Sequence, residues 1–225
     1  MESLAGAAVL TLGLVAVGGY LLGSIPFGLL SARIAGIDIC TVGSGNIGAT
    51  NVLRTGRKDL ALLALIGDSG KGALAVGLVY AFTRWQQTPA HTAYVLMAIA
   101  AGAAFTGHLF PVWLKFKGGK GVATFFGTTL AIAWPVGLLA GVTWLLVAFL
   151  FRISSLAGLT AVALAPFFSL ATEQPHAVTV LAVFMAVLVF IRHRENIARL
   201  LKGTEPKIGG KKEKPPADGP SDAPA

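Results

Sequence analysis

Charge is scarce in this chain. Asp, Glu, Lys and Arg make up 12% of its 225 residues, about half the roughly 25% typical of soluble domains. Acidic residues are the scarcer part, 10 against 18 basic ones, and few fall near the loops. The four histidines are scattered without an HxxxH pair. Metal-centred chemistry is therefore not expected. Cys40 is the single cysteine, so an internal disulfide is excluded and compartment cannot be read from it. No serine sits in a nucleophile elbow, and no histidine precedes an aspartate by five positions. The N-terminal MESLAGAAV lacks a basic region and no small-residue cleavage site follows it. It reads as a retained first helix and not as a signal peptide. There is no tandem repeat and no separate soluble domain.

What the chain has instead is apolar length. Hydrophobic residues reach 55%, mean hydropathy is +0.74, and apolar runs recur from Leu4 to Ile191. A soluble core does not account for so many near-uninterrupted runs. Backbone groups in lipid must pair within their own segment, so the fold class is all-α, a polytopic membrane protein. The runs are Leu4–Leu22, Leu60–Phe82, His91–Pro111, Val122–Ala133, Val136–Phe151, Leu156–Ala171 and Ala177–Ile191. These give about seven transmembrane helices, although several fall short of the ~20 residues needed to cross untilted, and five or six crossings stay open. The weakest break is Trp134-Pro135, a tight turn because proline interrupts the helical ladder.

With the spans alternating, one side receives all but two of the 18 basic residues. Lys71 lies inside the second span and Arg84 on the opposite side. The positive-inside rule makes the basic side cytoplasmic, with the N-terminus outside and the C-terminus inside. The net charge of +8 is then mainly topology, and no nucleic-acid partner is expected. Pro26, within GSIPFG, ends or kinks the first helix, and Leu29–Ala35 is placed in the interface. From Lys211 the sequence KKEKPPADGPSDAPA has no apolar face and many prolines. Residues 1–205 thus form one membrane domain and 206–225 a disordered cytoplasmic tail.

Three polar stretches interrupt the apolar sequence on the predicted cytoplasmic side. In Gly43–Arg54, GSGNIGATNVLR, Gly43, Gly45 and Gly48 allow tight turns. Ser44, Asn46, Thr50 and Asn51 offer hydroxyls and amides, and Arg54 a donor fork suited to phosphate or carboxylate. The plainer alternative is a turn and a helix cap, with Arg54 as a topological anchor. The pattern is neither a dinucleotide fingerprint nor a Walker loop.

Gly107–Thr124, GHLFPVWLKFKGGKGVAT, carries Lys115, Lys117 and Lys120 where apolar sequence stops and restarts. Phe110, Trp113 and Phe116 fit an interfacial aromatic belt. A belt has no use for Gly118, Gly119 and Gly121, which weaken a helix end but let an anion approach bare backbone. Arg192–Glu205, RHRENIARLLKGTE, follows the last span. His193, Asn196 and, on the following turn, Arg199 or Leu200 share roughly one helix face there; a basic helix lying on anionic lipid is the competing reading. Asp68 and Lys71, in GDSGKG, are three residues apart in the second span and suit a packing ion pair beneath the site. His108 is read as a structural hydrogen-bonding residue. Ser154-Ser155 fits an N-cap or a ligand-binding hydroxyl equally well.

In this order and on one membrane face, the three stretches resemble the motifs of the bacterial acyl-phosphate glycerol-3-phosphate acyltransferases (PlsY). GSIPFG and GDSGKG match that family too, and the resemblance runs from Ser24 to Glu205. It implies a small seven-helix enzyme of the bacterial plasma (inner) membrane. The implied reaction moves a fatty acyl chain from acyl phosphate to the 1-hydroxyl of sn-glycerol 3-phosphate, giving lysophosphatidic acid and phosphate. By resemblance, Ser44, Arg54, Lys120, His193, Asn196 and one of Ser154 and Ser155 belong to the polar site.

The residue chemistry suits that task. Both reactants carry phosphate, so joining them requires offsetting two anions in one pocket. Arg54 and Lys120 supply charge, while the Gly43–Gly45 and Gly118–Gly121 backbones supply donors with little reorganisation. Gly48, Asn46, Asn51 and Lys115 extend the expected substrate-binding surface. An acyl phosphate is already activated, so direct attack suffices without a cofactor or a protein nucleophile. The competing class is a transporter or channel for small phosphorylated anions, but the candidate groups gather at one face and not near the midplane.

Overall fold

The structure, a computed structural model, describes residues 2–209, and among them all regular structure is helical. Helix α1 (Glu2–Gly23) is followed by the short α2 (Phe27–Ile34), a 3-10 turn at Ile39–Thr41, and α3 (Ala49–Leu53). Three hairpins come next: α4 (Lys58–Trp85) with α5 (Ala90–Leu109), α6 (Val122–Ile132) with α7 (Trp134–Phe151), and α8 (Ser154–Ala171) with α9 (His176–Arg192). The chain then bends by 65° into α10 (Arg194–Leu201).

Helices α1, α4, α5, α7 and α8 are long and apolar enough to cross a bilayer, and the bent α9–α10 pair is a sixth candidate. Helix α6 is shorter than these candidate spans: its 11 residues reach about 16 Å, roughly half the hydrocarbon thickness. The reason is local. The backbone leaves helical geometry at Ala133, and Pro135 starts α7 at a position where a missing N–H breaks no bond. Pro26 acts similarly between α1 and α2, and α2 packs against α4.

Two cores hold the bundle. The main one joins α5, α6, α8 and α9 through Phe105, Phe125, Val162, Val178, Met185 and Val189. A smaller one, with Leu29, Ile39, Ile47, Val52 and Ala64, supports the segment after α2. Leu145, Leu146, Phe149 and Leu150 of α7 point outward, as expected where lipid replaces water.

The Asp68–Lys71 pair expected along one helix is present and buried, with Nζ 2.8 Å from Oδ1. It is also larger than a pair. Lys71 donates to the Ile25 carbonyl at 2.7 Å, the same Asp68 oxygen lies 3.5 Å from His108 Nδ1, and Thr124 donates to the Asp68 carbonyl at 2.9 Å. One ionic cluster thereby joins α4, α5, α6 and the link after α1.

Candidate functional site

The connections between α1 and α4, α5 and α6, and α7 and α8 all reach the same end of the bundle as the chain leaving α9. Direct hydrogen bonds tie the last three: Lys120 to Asn196, Ser155 to Glu205, and Arg192 to the Gly118 and Gly119 carbonyls. The first is close enough for the Arg54 charge to bear on Lys120.

In the first loop Asn51 is the organiser. Its amide donates to the Ile39 and Val42 carbonyls at 3.1 and 2.9 Å. Its oxygen accepts from the Ser44 backbone at 3.1 Å, and from the Ser44 hydroxyl and Arg54 Nη1 at 3.4 Å each. Asn51 was expected among the substrate-binding groups, but it is buried and both ends of its amide are occupied inside the loop. Ser44 is exposed and Arg54 half-buried, with Gly43 packed on both Asn51 and Arg54 and with Gly45, Asn46 and Gly48 completing the loop.

The glycine loop rests on His108. A Cβ on Gly119 would sit 2.3 Å from His108 Nε2, so only glycine lets the loop lie flat on that ring. The Gly118 and Gly119 amides close onto the Leu109 and His108 carbonyls at 3.1 and 3.2 Å. Their carbonyls accept from Arg192 Nη2 at 2.7 Å and Nε at 3.2 Å. With both sides held, Gly121 caps α6 and Lys120 projects, half-buried, toward Asn196. Lys115 and Lys117 lie elsewhere, lining a groove with Arg33, Ile37 and Trp113 beside α2.

At the third segment the expected single helix is broken: His193 sits at the bend, and Asn196 and Arg199 lie on α10. Spacing did not reveal Glu205. Helix α10 ends at Lys202, and Gly203 takes a left-handed φ of 70°. The Gly203 and Thr204 amides bond the Leu200 and Arg199 carbonyls at 3.1 and 2.9 Å, a Schellman reversal that glycine makes cheap. That reversal sends Glu205 back along the helix. There it accepts from Ser155 at 2.7 Å, from Asn196 Nδ2 at 2.5 Å and from Arg199 Nε at 2.7 Å. Ser155, and not Ser154, is therefore the serine bonded into the cluster. With its amide nitrogen committed to Glu205, Asn196 presents its oxygen to the Lys120 amine. The only sequence signal for this was Gly203 following a helix-length run.

The electrostatics leave the site short of negative charge. Burial pulls the Lys120 amine below its ordinary pKa, and the charges of Arg199 and Arg54 add to this against Glu205 and Glu195. Burial opposes ionisation of Glu205 as well, yet the bonds from Ser155, Asn196 and Arg199 outweigh it and hold its carboxyl below the usual range. An anion entering here would be stabilised by cations that repel one another in its absence.

Buried His193 has Nδ1 2.9 Å from the Val189 carbonyl. A carbonyl only accepts, so Nδ1 carries the proton and Nε2 keeps its lone pair. Burial, opposed by the Val189 bond and aided by Lys120, lowers its pKa from 6.5 to about 4. Between those two values the unfolded chain binds a proton that the folded chain does not. Stability from this group is thus lost as pH falls from 6.5 toward 4, and is unaffected above that window. Thermal unfolding in detergent at pH 7 and pH 5 should show a larger acid shift for the wild type than for His193→Asn. Equal shifts would mean that the ring is already solvated.

Comparisons with known proteins point to one family. The family model described as glycerol-3-phosphate acyltransferase matches residues 13–203. The glycerol-3-phosphate acyltransferase of Caulobacter vibrioides is 64% identical over 96% of this chain and 98% of its own. That of Rhodospirillum rubrum is 57% identical over 92% and 95%. Two crystal structures of PlsY, an integral membrane glycerol 3-phosphate acyltransferase, superpose with TM-scores of 0.79 for the glycerol 3-phosphate form and 0.77 for the lysophosphatidic acid form, both at 36% identity. The first covers 88% of this chain and 96% of that one, the second 87% and 94%. With the match running from within α1 to the end of α10, the chain belongs to the glycerol-3-phosphate acyltransferase family and is a multi-pass membrane acyltransferase.

Proposed function

We propose that this protein transfers a fatty acyl group from acyl phosphate to the 1-hydroxyl of glycerol 3-phosphate, without a metal or a cofactor. The observation that carries the reading is the Lys120–Asn196–Glu205–Ser155 chain, which draws three separated segments into one cation-rich cluster beside Arg54. Arg54 and Lys120 bind the two phosphates, Ser44 and Ser155 contribute hydroxyls, and Asn196 aims Lys120; the Gly118 and Gly119 amides, expected as donors, are closed onto the Leu109 and His108 carbonyls and shape the loop instead. The PlsY forms with glycerol 3-phosphate and lysophosphatidic acid support the acceptor and the product. The acyl phosphate donor is what the sequence resemblance implies, and its phosphate leaving group makes a protein nucleophile dispensable.

In the step itself the 1-hydroxyl oxygen attacks the acyl carbonyl carbon. The ester C–O bond forms, the bond between the acyl carbon and the bridging oxygen breaks, and phosphate leaves with that oxygen and the electron pair. A ring held at about 4 is a weak base at neutral pH, which favours the substrate phosphate as proton acceptor. His193 Nε2 then accepts a hydrogen bond and orients the hydroxyl. The proposed topology adds the short α6 to the six candidate spans, giving seven crossings of the bacterial inner membrane, with the N-terminus outside and the site facing the cytoplasm, as the basic excess at that end favours.

Purified protein given labelled glycerol 3-phosphate with acyl phosphate, acyl-CoA or acyl-carrier protein, in chelator, tests the donor. Product from acyl phosphate alone is expected. Product only from a thioester would overturn the donor assignment, and vesicle uptake without product would favour a transporter.

A further inference from the structure

Arg152 stands in the turn between α7 and α8, two residues before Ser154, with φ 58° and ψ 31°. That left-handed conformation is unfavourable for a residue with a Cβ, and glycine would adopt it freely. The side chain therefore has to offer something that glycine cannot. Its guanidinium Nη2 donates to the Ile208 carbonyl at 3.0 Å, while its own carbonyl accepts from the Ile208 amide at 2.6 Å. These two bonds clip the segment after α10 to the turn that leads into Ser155. Residues 206–209, expected to belong to a disordered tail, thus include one that is bonded to the body of the protein. Glu205 lies between two fixed points, the Gly203 reversal on one side and Ile208 on the other.

We infer that Arg152 is a positioning residue for the acyl-transfer site: by closing the strap 204–209 against the α7–α8 turn, it holds Glu205 under Ser155 and Asn196 and so fixes Asn196 against Lys120. Its effect passes through backbone and Glu205, and it touches no reacting group. The inference rests on the acyltransferase reading. A topological role for Arg152, one more cation on the cytoplasmic side, makes different demands. It needs only a charge, is satisfied by lysine, and acts on membrane insertion and not on turnover.

The test uses full-length Arg152→Gly, Arg152→Lys, Ile208→Pro and the Arg152→Gly/Ile208→Pro combination, assayed per folded molecule in detergent. Arg152→Gly relieves the backbone and removes the guanidinium half of the clip, leaving the bond from the Ile208 amide to the residue 152 carbonyl, so the unfolding midpoint should hold. Its kcat should fall about tenfold, as small misplacements of aligned groups do, with KM for glycerol 3-phosphate changed less than about twofold. Ile208→Pro, which deletes the amide donor, should give a similar fall, the combination no further one, and Arg152→Lys only partial recovery. Wild-type kcat in Arg152→Gly, full recovery in Arg152→Lys, or multiplying effects in the combination would overturn the inference. If Arg152→Gly fails to fold, a wild-type kcat in Ile208→Pro still overturns it. A wild type that transfers no acyl group would instead overturn the functional reading on which it rests.

Discussion

Lys120→Ala is expected to remove nearly all acyl transfer, with kcat falling on the order of 10²–10³-fold, the range seen when one preorganised electrostatic donor is deleted. The protein should still fold and insert, because the Lys120 side chain reaches outward from a loop held by other groups. The Gly118 and Gly119 carbonyls stay bonded to Arg192 and the glycines stay on His108. What is lost is the amine that Asn196 aims into the site. Arg54→Ala should have a comparable effect from the opposite side of the cluster. Lys120→Arg should not restore the rate, since a planar fork cannot take the place of a compact ammonium at the same bond. Single-turnover rates with acyl phosphate on purified variants check this, and near-normal turnover in both alanine variants would remove the two-anion pocket from the argument.

The second large effect is expected on stability. Asp68→Ala leaves the Lys71 ammonium buried among α4, α5 and α6 with a single carbonyl, that of Ile25, as a partner. Removing one member of a buried pair typically costs about 3–5 kcal/mol, and both side chains are buried here. The same loss frees His108, on which the glycine loop lies, so activity should fall with stability. Asp68→Leu combined with Lys71→Met removes both charges and should recover much of the lost stability. It should not recover full turnover, because His108 still lacks its carboxylate. Thermal unfolding in one detergent across the three proteins decides it. A double variant no more stable than Asp68→Ala would show that packing, and not the orphaned ammonium, sets the cost.

Much of this was legible from residues alone, because each signal was local. Apolar length marks helices whether or not their neighbours are known. The three-residue spacing of Asp68 and Lys71 marks a pair on one helix, whereas Gly118-Gly119, expected as bare backbone, has its amides and carbonyls bonded within the protein. Asn51 and Lys115 were less legible. A loop amide can face a ligand or its own backbone with the same sequence, and only the Ile39 and Val42 carbonyls decide for Asn51. Lys115 belongs to the same motif as Lys120 but turns toward Arg33 and Trp113 instead.

By itself the sequence determined the solvent of this protein, its helical class and the chemical character of three polar stretches, since composition and short spacing are enough for those. Folding in three dimensions decided which of the polar groups meet. Ser155 and Glu205 are 50 residues apart and Lys120 and Asn196 are 76 apart, distances over which no periodicity carries information. The reversal at Gly203 and the clip at Arg152 bring them together. They do so mostly through backbone hydrogen bonds, to which the Arg152 guanidinium adds one; any residue but proline can donate such a bond, so they leave little trace in side-chain pattern.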